Sequence, residues 1–268
     1  MKQHEVQVRE LAGWGLDDYE YRPQANTETD RSRATGLVAS RSPFQQRDAV
    51  LAEETSELQD EFLRRSSRQD LLDEMDGLDW SLGVVDLRAL IAFQRRVSFG
   101  LDSPLLAVPA ARDWPSLLSH CFGAAKPVGC ELHSEEAPET LVLRSSNPNL
   151  HVRTSFDAAR PLSIHAGGPF FEVACWHGRW FLRDGYHRAY KLLQAGVFEV
   201  PAIVVQARTI EELGADRPWF FSEETLFSET PPLVTDFLND ELVLTYSRPA
   251  LHKTIRITIE EFLTPVAF

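Results

Sequence analysis

Cysteine is scarce, with three residues among 268. Cys121, Cys130 and Cys175 are an odd set without C-x-x-C spacing. That excludes a disulfide framework and a cysteine zinc site, and leaves buried or half-buried thiols as the reading. Positive charge is short as well: 40 Asp and Glu face 27 Lys and Arg, for a net charge of −13. A nucleic-acid duplex is a dense line of negative charge, so non-specific attraction to DNA or RNA is disfavoured, although a local pocket for one nucleotide stays compatible. Long apolar runs are missing too. None approaches the roughly 18 residues needed to cross a bilayer, and Met1–Glu5 leads into polar residues rather than the apolar stretch of a secretory signal. The expectation is a cytoplasmic protein with no membrane partner.

The residues that are present suit a folded chain. Hydrophobic side chains make up 43% and charged ones 25%, and sixteen Phe with six Trp supply large buried areas. Residues 1–45 mix Trp14, Tyr19 and Tyr21 with a polar stretch from Arg22 to Arg41, which reads as a mobile or surface-hugging arm. From about Pro43 the pattern turns helical, with Val50, Leu51, Leu58, Phe62 and Leu63 set among acidic residues. A short second helix covers Arg68–Met75. The acidic run from Glu53 to Asp76 reads as a solvated helix face.

Leu82–Val85 reads as a strand, with Asp86 capping a helix over Leu87–Arg96. A further helix spans Trp114–Phe122 behind Asp113 and Pro115. Two strands, Leu141–Leu143 and Leu150–Val152, flank a cluster of turn formers. Phe170–Trp176 and Arg179–Arg183 form a hairpin across His177-Gly178. Tyr186–Ala195 is a helix closed by Gly196, and Val200–Val205 is a strand with Pro201 at its start. Short helices follow at Thr209–Leu213 and Ser222–Phe227, and alternating strands around Leu242–Tyr246 and Ile255–Ile259 end the chain as a hairpin.

Asp184-Gly185-Tyr186-His187-Arg188 stands at a strand–helix junction, where chemistry concentrates. A helix N-terminus leaves its first N–H groups unpaired and carries a positive dipole end, so a phosphate satisfies both. Gly185 permits a close approach to the backbone, Arg188 offers a bidentate fork, and His187 can donate or relay a proton. The same residues suit a plain turn, with Asp184 as cap and Arg188 paired to a carboxylate. His151, His165, His177 and His187 follow no metal-ligand spacing. His165–Pro169 reads as a turn, and Trp176 and Trp180 as packing residues of the hairpin.

Taken with Phe181-Leu182-Arg183 before it, and Ala189, Leu192, Ala195-Gly196-Val197 and Val200-Pro201-Ala202-Ile203-Val204 after it, this turn resembles the signature of the ParB/sulfiredoxin superfamily. The resemblance runs from Phe171 to Val205 and extends thinly to Leu82–Gln94. It implies an α/β (α+β) fold with a small mixed sheet, and nucleotide phosphates at the turn. Sulfiredoxins carry their reactive cysteine where this chain has Tyr186, so sulfinic-acid reduction lacks its nucleophile. Partition proteins of the ParB type show two arginines in the turn and a helix-turn-helix domain; here the turn is His187-Arg188 and strands follow, which sets DNA partitioning aside. Free-serine kinases of the superfamily have the most similar turn. That likeness implies Mg2+ with ATP, ADP or CTP, and a catalytic carboxylate for which Asp86, Glu172 and Asp184 are candidates.

The sequence therefore predicts an arm at 1–45, a helical extension at 46–79, a ParB/sulfiredoxin-like core at 80–207 and a C-terminal extension with helices and a β-hairpin at 208–268. The function expected is binding of a nucleotide or small phosphorylated ligand by Gly185, Tyr186, His187 and Arg188. Phosphotransfer or nucleotide hydrolysis would rest on His187 and Asp184. The alternative is a non-catalytic interaction or regulatory module, with the acidic N-terminal helix meeting a protein partner.

Overall fold

The computed structural model describes residues 5–23, 27–51, 56–100, 107–123, 131–136, 139–145, 150–154, 162–166 and 168–264. In chain order the elements are β1 (Glu5–Leu11), α1 (Thr27–Ala39), α2 (Ser56–Ser66), α3 (Gln69–Glu74), β2 (Trp80–Asp86), β3 (Ile91–Ala92), β4 (Arg96–Gly100) and α4 (Trp114–Cys121). Next come β5 (Glu131–Glu136), β6 (Glu139–Ser145), β7 (Leu150–Thr154), β8 (Leu162–Ala166), β9 (Glu172–Trp176), β10 (Arg179–Asp184), α5 (Tyr186–Gln194) and β11 (Glu199–Gln206). The last are α6 (Ile210–Leu213), α7 (Glu223–Leu226), β12 (Val243–Pro249) and β13 (Lys253–Thr258). The class is α+β, with helices beside mixed sheets.

The chain divides into two compact units. One holds residues 1–124 and 169–249, the other 125–168 and 250–268. The core expected at 80–207 is thus interrupted by the second unit, and the first draws in both flanks.

In the first unit the main sheet runs β2-β11-β9-β10-β3. β11 is antiparallel to β2 and parallel to β9, while β10 is antiparallel to β9 and parallel to β3. Phe171, Val173, Phe181, Ala202 and Ile203 are fully buried along it, which is why these strands read as continuous apolar runs. Pro201 lies opposite Val84 of β2, but pairing with β9 begins only at Ile203. The proline therefore sits where β11 has one neighbour, a position that tolerates its missing N–H. The β9–β10 turn takes positive φ at His177 (48°) and Gly178 (75°), the two left-handed residues a tight hairpin needs.

A second sheet in this unit, β12-β1-β4, corrects the expectation of an arm at 1–45. Residues 5–11 form its central strand, and Val8, Leu11 and Ala12 are fully buried. Glu10, also fully buried, explains how the following segment is held. Its carboxylate accepts from Arg22 Nε (2.9 Å) and Nη2 (2.7 Å), Arg96 Nη1 (2.6 Å) and the Tyr246 hydroxyl (2.7 Å). Asp17 closes the network by accepting from Arg22 (2.7 Å) and Arg96 (2.6 Å). Burial alone would raise the Asp17 carboxyl, but Arg96 and Arg22 hold it below its ordinary value. Each buried charge is paired and hydrogen-bonded, the condition under which such groups persist.

The helix expected over Leu87–Arg96 is absent. Asp86 does cap, accepting from Arg88 N at 2.9 Å, but only a 3-10 turn at Leu87–Ala89 follows. Ile91 and Ala92 then join β10 as a short parallel strand. The apolar run 89–93 does not separate buried strand from buried helix by periodicity, and pairing with β10 decides it. The helical pattern from Pro43 begins only at Ser56; Val50 instead bridges Val85. Asp113 caps α4 by accepting from Ser116 N, with proline in the first turn.

In the second unit β13-β6-β5 form an antiparallel sheet, and β7 pairs with β8. β6 and β7, the two strands that flank the turn formers, thus belong to different sheets. The C-terminal hairpin is also corrected: β12 pairs with β1, and β13 pairs with β6. Cys130, Gly167 and the acidic residues Glu53 and Glu54 lie outside the described residues.

Candidate functional site

β10 delivers the chain to Asp184, and Gly185 turns it into α5 with φ 102°. A Cβ at Gly185 would lie 2.8 Å from the Phe171 ring. Glycine is needed here twice over, for the left-handed backbone and for the aromatic face packed against it. The Asp184 carboxylate accepts from Gly185 N at 2.6 Å. The first helical bond runs from Ala189 N to the Gly185 carbonyl at 2.8 Å. The N–H groups of Tyr186, His187 and Arg188 therefore precede the helix's internal ladder.

The three side chains after Gly185 reach three different parts of the first unit. Tyr186 is buried; its hydroxyl donates to the Leu182 carbonyl (2.8 Å) and accepts from Phe93 N (3.1 Å) and Gln94 N (3.3 Å). Burial raises its pKa. His187 sets a ring nitrogen, Nε2, 2.7 Å from the Ser98 carbonyl of β4 and packs edge-on against Phe99. The residue is exposed at its outer edge, yet the packed ring loses enough water that its pKa falls, against the Ser98 bond that works to raise it. Arg188 donates to the carbonyls of His120 (3.3 Å), Pro169 (2.5 Å) and Phe170. Its fork, expected to meet phosphate oxygens, knots the end of α4 and the approach to β9 onto α5.

Behind the turn lie two carboxyls. Glu172 of β9 is the register partner of Asp184 in β10. It is 4% exposed and pairs with Arg183, whose Nε donates to the Glu212 carbonyl at 3.1 Å. Burial pushes the Glu172 carboxyl up to about 7, with Arg183 opposing the rise and Asp184 and Glu74 adding to it. Burial raises Asp184 as well, against Arg188 and the Gly185 N–H. Asp86, the third candidate carboxylate, is elsewhere: it caps the turn after β2 and pairs with Arg88 and Arg47.

The structure thus brings Asp184, Gly185, Tyr186, His187, Arg188 and Glu172 together and leaves Asp86 out. Among the described residues no group of three or more His, Cys, Asp or Glu is placed to hold a metal. Glu172 is committed to Arg183 and Asp184 to the Gly185 N–H. Sequence reasoning missed Arg183 and Phe171. The run Trp180-Phe181-Leu182 is buried throughout, so no alternation in β10 signalled that Arg183 would pair with a buried glutamate.

Trp176 and Trp180 are both buried, and Trp176 packs edge-on against Phe227 at 5.3 Å. Cys121 is fully buried, and burial pushes its thiol up to about 12; Cys175 is half-buried and also raised by burial. Neither thiol is activated. Among the described residues no helix is long and apolar enough to cross a membrane. No protein-family model, curated protein or solved structure matches the chain.

Proposed function

We propose that this protein binds a nucleotide or a smaller phosphorylated molecule at the entrance of α5, as a ParB/sulfiredoxin-like module, and holds it without turnover. The observation that carries the reading is the anchoring of the Gly185 turn. Tyr186, His187 and Arg188 fasten it to the segment after β3, to β4 and to the approach to β9, while their own N–H groups stand ahead of the first helical bond. A rigid row of main-chain donors at a helix start favours an oxyanion without a side-chain fork. Glu172 and Asp184 would repel an anion if both were ionised. Burial raises both carboxyls, and Glu172, at about 7, is partly protonated near neutral pH, which eases that repulsion.

Binding is favoured over phosphoryl transfer because the catalytic candidates are spent. The His187 ring meets a backbone carbonyl, Asp184 caps Gly185 and Glu172 holds Arg183. A second reading, an interaction module, draws support from α2, where Leu63 is 74% exposed next to the acidic face. Calorimetry and thermal shift with ATP, ADP, CTP, GTP and inorganic phosphate, with and without magnesium, test the first reading. Saturable binding without consumption of the nucleotide supports it. Silence from every ligand would remove it and leave the interaction module.

A further inference from the structure

β2 is an outer strand of the main sheet, and only part of its free edge is taken. Gln206 N donates to the Asp79 carbonyl (2.8 Å) and Leu87 N to the Phe198 carbonyl (2.9 Å). The odd-numbered residues of this stretch therefore bond β11, and the main-chain groups of the even-numbered ones face the other way. Near Asp86 that outer side is used: Leu51 N donates to the Val84 carbonyl and Asp86 N to the Ala49 carbonyl, both at 2.8 Å. At the start of β2 the outward N–H and C=O groups of Trp80 and Leu82 have no partner among the described residues. Sheet edges are commonly guarded by charge or proline, and Trp80-Ser81-Leu82-Gly83 has neither.

Across from this bare edge runs α2. Gln59, Phe62, Leu63 and Ser66, at i, i+3, i+4 and i+7 on one helix face, bound a groove of about 450 Å³ with Trp80 and Leu82. Leu63 is largely exposed, and Trp80 and Leu82 are half-buried. Charge decides what kind of chain fits. Between 56 and 79 eight acids stand against three arginines, and those arginines are bound to Glu61 and Asp70. Asp60 and Asp79, next to Gln59 and Trp80 in the chain, are exposed. A second copy would bring the same acids, so like charge opposes self-pairing here. We infer that the groove takes an extended basic segment of another protein, added to the edge of β2. Its main chain bonds Trp80 and Leu82, its apolar side chains pack on Leu63 and Trp80, and its Lys or Arg side chains meet the acids. The inference rests on the interaction reading. It is independent of the α5 entrance, since β2 stands three strands away from β10.

The test is an NMR titration of the full chain with a short capped peptide of alternating lysine and valine. The expected result is saturable binding that moves the Trp80 and Leu82 amides and slows their hydrogen exchange. The same peptide N-methylated at every residue keeps its charge and loses its donors; it and a glutamate–valine counterpart should bind about tenfold more weakly or worse. Leu63→Ser removes an exposed side chain without touching the core, and should also weaken binding about tenfold. Absence of binding, or equal binding by the methylated peptide or by the variant, would overturn the inference. Shifts confined to α2 would overturn strand addition and leave the interaction reading standing. Shifts at Trp80 and Leu82 that grow with protein concentration alone would assign the groove to a second copy and overturn it too.

Discussion

Glu172 stands directly across the β9–β10 pair from Asp184, so two carboxyls share one buried corner behind the Gly185 turn. Only Glu172 has a full cationic partner, Arg183. Burial raises both carboxyls, and Glu172 reaches about 7.

A pH dependence follows from that pair. The folded protein binds more protons than the unfolded chain between the ordinary glutamate value and about 7, so stability falls as pH rises through this window. Below it the unfolded chain protonates too and the effect vanishes. Urea denaturation at pH 5 and pH 8 should show the lower midpoint at pH 8, and Glu172→Gln should flatten the difference. A wild-type midpoint that rises from pH 5 to pH 8 would contradict the assignment.

Arg188 gives a second prediction. Truncation to Ala leaves the carbonyls of His120, Pro169 and Phe170 without their donor. Hydrogen bonds to a charged group contribute about 1.5–3 kcal/mol each, and partial replacement by water brings the expected loss to about 2–4 kcal/mol in chemical denaturation. Lys offers a point charge rather than a planar fork, so Arg188→Lys should recover only part. A variant as stable as the wild type would show that the carbonyls find other donors at no cost.

Tyr186→Phe isolates one hydroxyl. It removes the bonds to Leu182, Phe93 and Gln94 while keeping the ring packed on Phe93 and Phe237. The expected loss is about 1–3 kcal/mol, with faster hydrogen exchange at Phe93 and Gln94. Unchanged exchange at those two amides would disprove the clasp.

Gly185→Ala meets two penalties at once. The left-handed backbone costs roughly 1–2 kcal/mol for a residue with a Cβ, and that Cβ would press on Phe171 at 2.8 Å, adding about 1–3 kcal/mol of overpacking. Phe171→Leu should relieve the second penalty and not the first, which a double-mutant cycle separates.

What the sequence made legible was local. Asp113 before Pro115, Thr209 and Ser222 before their short helices, and Gly196 after α5 all act within one turn of the chain, and all sit where their chemistry suggested. The α+β class followed from the same local signals. The central place of β1 was not legible, because it rests on Glu10 meeting Arg96 and Tyr246, 86 and 236 residues away. Leu87–Arg96 misled because an apolar run fits a helix or a strand until its partner is known. At the turn, residue types gave the cluster but not the direction of its side chains. Arg188 suits phosphate and carbonyls alike, and partners 18 to 68 residues away took its fork.

The most direct measurement is an amide NMR titration of the full chain with inorganic phosphate and ADP, read at Gly185, Tyr186, His187 and Arg188. Main-chain capture of an oxyanion at the entrance of α5 should move these four amides together, saturably and with one affinity, and should leave β12 and β13 untouched. Amides at Gly185–Arg188 that stay still at millimolar ligand, while the protein remains folded, would contradict it.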